Sequence, residues 1–357
     1  MTLHLHEIGI TVDALLRALL ALHPRRRLSI LDSCGARGAS ARFLIAGFDP
    51  FETIEAHGTS LRIEEHLAGR VQTIEGDALA LLDERLKQYS IARNKAAQAL
   101  DGGACIATFS YDLARGLERL RLKPRARSAT DEPDAVFAFY DALLIHDYER
   151  GVTRIASLAG AQRVEETYRA IATEIEKHES EAIPASLPAS TEAVSNMTRD
   201  EYLAAIRAIK ERIAAGDIYQ ANLTQQFSCK LPKQTGPERV YLRLRRDHPA
   251  SFAAFIRRRE DAVISASPER FLRVCREGSE RVVEAWPIKG TRRRGISEDE
   301  DRALRAELLR SEKDRAENVM IVDLLRNDLG RVCLYGSVSV RELCAIEEHP
   351  TLFHLVS

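Results

Sequence analysis

Residues Ser267–Thr291 read SPERFLRVCREGSERVVEAWPIKGT. Two strand-like runs flank Gly278–Ser279, and that arrangement is the signature of a β-hairpin. A three-residue loop centred on Ser279 sets Glu269 directly opposite Lys289, with both side chains on one face of the sheet. A slip of one residue breaks that pairing, so it depends on the register. Held face to face, an acid and an amine form either a structural ion pair or an acid–nucleophile pair. Pro287 and Gly290–Thr291 disfavour continued ladder pairing around the lysine. Lys289 is therefore expected near a strand end, where a ligand can approach.

The next informative stretch is SEKDRAENVMIVDLLRNDLGRV, from Ser311 to Val332. Ser311 followed by Asp314 is an N-cap pattern and Gly330 a stop, which predicts a helix over Glu312–Leu329. Asp314 and Glu317 are three apart and share a face of it. Two carboxylates so placed either grip a hard divalent cation such as Mg²⁺, alongside ligand oxygens, or form a solvated acidic first turn favoured by the helix dipole.

Around these stretches, SFAAFI, DAVISA, ERFLRVC and RVVEAW read as short strands, with a helix around Glu298–Leu309. YGSVSVREL reads as a final strand before EEHPTLFHLVS. Upstream, TRDEYLAAIRAIKERIAAGD opens on Thr198 with Glu201 three residues on, a capping box, and Gly216 ends it. IYQANLTQQFSCKL alternates like a half-buried strand. In the first half RRLSILDSC, RFLIAGF and AVFAFYDALLIHDY are strand-like, and Arg163–Lys177 has helical periodicity. The segment His178–Met197 is rich in Ser, Ala, Glu and Pro, a composition that cannot pack a core. The expected organisation is an N-terminal subdomain over 1–177, a linker over 178–197 and a C-terminal domain over 198–357.

The 357 residues are 45% hydrophobic and 29% charged, enough for a large core without metal or disulfide staples. Lys and Arg number 52 against 53 Asp and Glu, so the net charge of −1 gives no reason to expect nucleic acid as a partner. Six scattered cysteines, with no CxxC, read as free thiols of a reducing compartment. Apolar runs near the N-terminus are broken by His6, Glu7 and Asp13, and the arginines follow them, the wrong order for a signal peptide. No run is long enough to span a bilayer, so no membrane association and a cytoplasmic location are expected. The arginine triplets at 25–27, 257–259 and 292–294 either meet an anionic substrate or are solvated.

Five motifs in order carry a resemblance: GDIYQANLTQ (216–225), SPERF (267–271), PIKGT (287–291), KDRAENVMIVDLLRNDLGRV (313–332) and HLVS (354–357). Together they resemble the chorismate-utilising enzymes, the family of anthranilate, aminodeoxychorismate, isochorismate and salicylate synthases. LDSCG (31–35) and GGACIATFSYDLAR (102–115) extend the likeness into the first half. The resemblance implies an α+β fold of two subdomains, built on large, mostly antiparallel sheets packed face to face with helices outside. It implies Glu317 as a Mg²⁺ ligand with Asp314 beside it, the metal orienting a chorismate carboxylate. His354 is implied as a substrate-contacting or proton-handling group, and Gly290 and Thr291 as substrate-binding residues.

Lysine in PIKGT separates the branches, because anthranilate synthases carry alanine there. Lys289 therefore implies the branch that makes 4-amino-4-deoxychorismate for folate, from chorismate and ammonia. Lys289 would attack the ring while Glu269 protonates the departing hydroxyl, and ammonia would then displace the lysine. That route wants Glu269 protonated when substrate binds. A separate glutamine amidotransferase subunit is implied as the ammonia source. The alternatives are anthranilate synthase component I and a non-catalytic remnant. The family pattern continues past HLVS into a GAPK segment, an IRT segment and a helix with another metal-binding glutamate, so a fragment or truncated product is expected, with an incomplete pocket.

Overall fold

The computed structural model describes residues 3–35, 42–89, 103–118, 132–178, 192–233, 235–349 and 351–357. The first elements are β1 (His4–Ile8), α1 (Val12–Ala21), β2 (Ser29–Asp32), β3 (Phe43–Gly47), β4 (Glu52–His57), β5 (Ser60–Glu65) and β6 (Arg70–Glu75). Then come α2 (Ala78–Tyr89), β7 (Ala104–Phe109), α3 (Ala114–Leu117), β8 (Ala135–Tyr140), β9 (Ala142–Asp147), β10 (Val152–Ser157) and α4 (Ala161–His178). Next are β11 (Val194–Ser195), α5 (Arg199–Ala215), β12 (Phe227–Ser228), α6 (Pro237–Asp247), β13 (Phe252–Arg257) and β14 (Ala262–Ser267). The last are β15 (Arg273–Glu277), β16 (Glu280–Glu284), β17 (Ile288–Arg293), α7 (Glu298–Arg310), α8 (Glu312–Gly330), β18 (Ala345–Glu348) and β19 (Leu352–Val356).

Two antiparallel sheets form the body. One has the order β1-β10-β9-β3-β2-β13-β14 and the other β6-β5-β4-β8-β7. Strands β8 and β9 are buried at every position and belong to different sheets, with only Asp141 between them. Burial on both faces is why AVFAFYDALLIHDY reads as one continuous apolar run. Ile106 and Ala138 of one sheet share a core cluster with Leu143, Ile145, Ala156 and Ile256 of the other, so the sheets pack face to face. Each such side chain, fully buried, contributes roughly 1.5–3 kcal/mol for the larger residues. Helix α4 packs on β1, β9 and β10 and against α1, while α2 adds Ala78 and Leu81 to the core of the five-stranded sheet. The α+β architecture with helices outside is the expected one.

Chain contacts define two compact units, Met1–Glu181 with Asp247–Ser357, and Ala182–Arg246. Strand β13 pairs with β2, so residues from before and after the 178–197 segment share one ladder. Of that expected linker, 179–191 lie outside the described residues, and Val194–Ser195 pairs with Phe227–Ser228. In the smaller unit the Thr198–Glu201 capping box is present on α5, and Gly216 caps its end at φ +79.

Three local expectations are corrected. The turn between β15 and β16 has two residues, Gly278 and Ser279, with Glu277 opposite Glu280 and Gly278 at φ +62. The ladder ends at Arg273–Glu284, so Glu269 and Lys289 do not face each other across it. YGSVSVREL is not a strand, and of IYQANLTQQFSCKL only Phe227–Ser228 is. Alternation makes a strand only where a neighbouring strand offers a ladder, and among the described residues these segments find none beyond that one short pair.

Candidate active site

The residues singled out above gather around a third, smaller sheet, β17-β19-β18, backed by α7 and α8. Phe353 and Leu355 of β19 join Leu308 and Cys344 in its core. Alternation along the strand then turns His354 to the opposite face. His354 pairs with Thr291 on one side and Glu347 on the other, and its Nδ1 lies 3.0 Å from Thr291 Oγ1.

Between Ile288↔Val356 and Thr291↔His354 the register shifts by one. Lys289 and Gly290 thus share the place opposite Leu355, which is a β-bulge. Bulges re-aim a side chain, and here the re-aimed residue is the half-buried Lys289. Gly290 sits at φ +92, and a Cβ on it would lie 2.8 Å from Asp314 Cβ. Glu269, though not opposite Lys289, reaches the same segment by another route: its Oε1 accepts the Ile288 N–H at 2.9 Å. The acid is therefore fixed one peptide from the amine. Among the described residues no ion pair or hydrogen bond engages the Lys289 ammonium, and Glu269 is exposed.

Helix α8 begins as expected, with Ser311 Oγ accepting the Asp314 N–H. The two carboxylates behind that cap differ. Arg292 donates to Asp314 Oδ2 at 3.0 Å and to Glu307 Oε1 at 2.7 Å. The Ser311 hydroxyl, and then the Arg292 guanidinium, hold the Asp314 carboxyl below the usual range. Glu317, one turn on and half-buried, makes no hydrogen bond or ion pair with the described residues. A hard cation needs carboxylate oxygens not already committed to a cation, and Glu317 meets that condition whereas Asp314 is engaged by Arg292. No group of three or more His, Cys, Asp or Glu among the described residues is arranged to hold a metal by itself.

Burial first, and then the neighbouring His349, push His354 down to about 4, against a weaker pull from Glu347. The rings of His349 and His354 meet edge to face at 5.2 Å. His354 is therefore neutral near pH 7, able to share one proton with Thr291 through Nδ1. The unfolded histidine has its pKa near 6.5, so the stability from keeping it neutral is complete above that pH and is lost as pH falls toward 4. At about 1.4 kcal/mol per pKa unit the contribution is on the order of 3 kcal/mol. Imidazole NMR should show His354 titrating near 4, and a midpoint near 6.5 would contradict the buried arrangement.

Seven of the nine arginines in the triplets pair with carboxylates among the described residues. Arg293 pairs with Glu300 and Arg294 with Asp301, as Arg292 does with Glu307 and Asp314. Arg26 and Arg27 pair with Asp49 and Glu64, and Arg258 and Arg259 with Asp261 and Glu55. All six cysteines are free thiols. No helix of the described residues is long and apolar enough to cross a membrane.

What sequence reading did not reveal is Asn318. Its side chain is fully buried in α8, where it donates to the Leu355 carbonyl at 3.1 Å and accepts from the Ser357 hydroxyl. The only signal was a polar residue next to the apolar run VMIV.

A lysine on a bulge, a carboxylate beside it, a neutral histidine and an uncommitted helical carboxylate bring a candidate nucleophile, an acid–base pair and a candidate cation ligand to one small sheet. The family profile described as chorismate binding enzyme matches residues 31–357. The chain belongs to that family. The chain is 34% identical over 342 residues to aminodeoxychorismate synthase component 1 of Bacillus subtilis (strain 168), covering 93% of this chain and 69% of that protein. The protein of the same name from Klebsiella aerogenes is 35% identical over 331 residues, 92% of this chain and 69% of the relative. Among solved structures, anthranilate synthase component I from Streptococcus pneumoniae TIGR4 superposes with a TM-score of 0.69 at 25% identity, covering 90% of this chain and 69% of that one.

Proposed function

We propose that this chain acts as an aminodeoxychorismate synthase component 1, converting chorismate and ammonia to 4-amino-4-deoxychorismate in the cytoplasmic route to 4-aminobenzoate and folate. The observation that carries the reading is Lys289 on its bulge, with Glu269 anchored to the adjacent Ile288 N–H. The Lys289 amine forms a C–N bond to the ring as the C–O bond breaks, and Glu269 gives its proton to the departing hydroxyl, which leaves as water. Ammonia then forms its own C–N bond as the bond to Lys289 breaks and the electron pair returns to the amine. His354 and Thr291 provide a neutral donor–acceptor pair beside the ring. The anthranilate alternative is disfavoured by Lys289. A glutamine amidotransferase subunit is proposed as the ammonia source.

Mg²⁺ fits Glu317, with Asp314 joining only on release from Arg292. When bound, the ion neutralises a chorismate carboxylate and orients the ring. Chorismate, ammonia and Mg²⁺ incubated with the protein, with products read by mass, tests the activity directly. Glu317→Gln should weaken Mg²⁺-dependent chorismate binding by roughly 10- to 100-fold, the loss of one charge-assisted contact. It should leave the unfolding midpoint nearly unchanged, since among the described residues this carboxylate makes no hydrogen bond or ion pair. Unaltered Mg²⁺ dependence would return Glu317 to the role of a solvated helix residue.

A further inference from the structure

We propose that Asn318 is a positioning residue of this site, a buried clasp that fixes Glu317, His354 and the Lys289 segment relative to one another. The proposal rests on the chorismate reading above. Asn318 follows Glu317 directly on α8, and no part of it is exposed. Its amide nitrogen donates to the carbonyl of Leu355, the residue after His354. Its amide oxygen accepts from the Ser357 hydroxyl, and the Cys344 thiol lies 3.8 Å from the same oxygen. Ser357 extends the clasp twice. Its hydroxyl accepts the Cys344 N–H at 2.9 Å, one residue before β18, and its own N–H donates to the Pro287 carbonyl at 3.2 Å, two residues before Lys289. One buried side chain thus ties the helix bearing Glu317 to the strand bearing His354 and, through Ser357, to the segment bearing Lys289.

The chemistry of the amide explains why this residue is suited. Asparagine offers a donor and an acceptor in one rigid plane, so it can hold a carbonyl and a hydroxyl at once. Aspartate is isosteric but cannot donate to Leu355, and alanine leaves both partners unsatisfied. A site built from a helix and two strands needs such cross-links, because small displacements of any one element misplace the reacting groups.

The test compares wild type, Asn318→Asp, Glu317→Gln and the double variant, with Ser357→Ala as a milder cut of one arm. Mg²⁺-dependent chorismate affinity is measured by calorimetry on protein shown folded by circular dichroism. Asn318→Asp should lower that affinity by about 10-fold, the scale of groups that orient a metal ligand. In the Glu317→Gln background the same change should cost less than it does alone, because part of its effect on Mg²⁺-dependent affinity runs through the placement of Glu317. Amide exchange on β19 should accelerate by about 10-fold while β4 and β8 are unchanged, which locates the loosening. A purely structural asparagine would lower stability but leave the Mg²⁺-dependent affinity of the folded protein at the wild-type value, and that result overturns the proposal. So do losses that simply multiply. Failure of the wild type to bind chorismate with Mg²⁺ would instead overturn the chorismate reading, and the positioning role with it.

Discussion

Lys289→Ala is expected to abolish a chorismate-derived covalent adduct and to slow amination by about 10²- to 10⁴-fold. The bulge at Lys289–Gly290 makes this position unlike an ordinary strand lysine. Two residues occupy the space opposite Leu355, so the backbone leaves the regular ladder where the amine projects. Glu269 is held close by through Ile288, and no carboxylate among the described residues captures the ammonium in an ion pair. An amine kept for structure would be expected to carry such a partner. Intact mass after incubation with chorismate and Mg²⁺, with ammonia withheld, should show the adduct on wild type and not on Lys289→Ala. Lys289→Arg retains the positive charge but cannot perform the attack, so it should also lose the adduct. If the wild type never forms one under these conditions, the covalent route loses its support. Slow residual amination by the alanine variant is compatible with it, since ammonia can attack directly.

How much of this was legible in the sequence depends on how local each feature is. The caps at Thr198 and Ser311 were readable because the side chain and the N–H it meets are three residues apart. The β15–β16 hairpin was readable as a hairpin, yet its register was off by one, because both two- and three-residue turns tolerate Gly278. Strand β4 escaped notice for a different reason. Its Glu52 and Glu55 are buried, satisfied by Arg85 with Tyr89 and by Arg259, partners 33 to 204 residues away. Such charges look like surface in a sequence, whereas in the fold their neutralisation lets the strand lie inside. The site behaved alike. Glu269 and Lys289 were expected face to face across the hairpin, whereas Glu269 reaches the lysine segment only through the Ile288 N–H beside a bulge, which no pairing rule predicts. Asp314 and Glu317 share a helical face, as expected, yet Arg292, 22 residues away in sequence from Asp314, makes their electrostatics unequal.

Gly290→Ala should be among the most destabilising single substitutions in the smaller β17-β19-β18 sheet. Two independent costs meet at this position. The backbone at φ +92 is one that side-chain-bearing residues rarely adopt, at a cost of about 1–3 kcal/mol. The new methyl would also lie 2.8 Å from Asp314 Cβ and 3.0 Å from Leu308 Cδ1. Leu308 is fully buried and Asp314 is held by Ser311 and Arg292, so neither can retreat freely, and overpacking of this kind costs a further 1–3 kcal/mol or so. The sum, roughly 2–6 kcal/mol, is a large share of the stability of an ordinary domain. Trp286, the only tryptophan, lies four residues before Gly290 and reports the unfolding of this region by fluorescence. The urea midpoint should fall with little change in slope. Leu308→Ala in the same chain should return part of the contact cost and none of the backbone cost, so the double variant should be less destabilised than the two single losses added together. An unchanged midpoint in Gly290→Ala would mean that the bulge can relax away from α8. In that case the lysine beside it would not be rigidly placed, and the fixed geometry argued for Lys289 would fail with it.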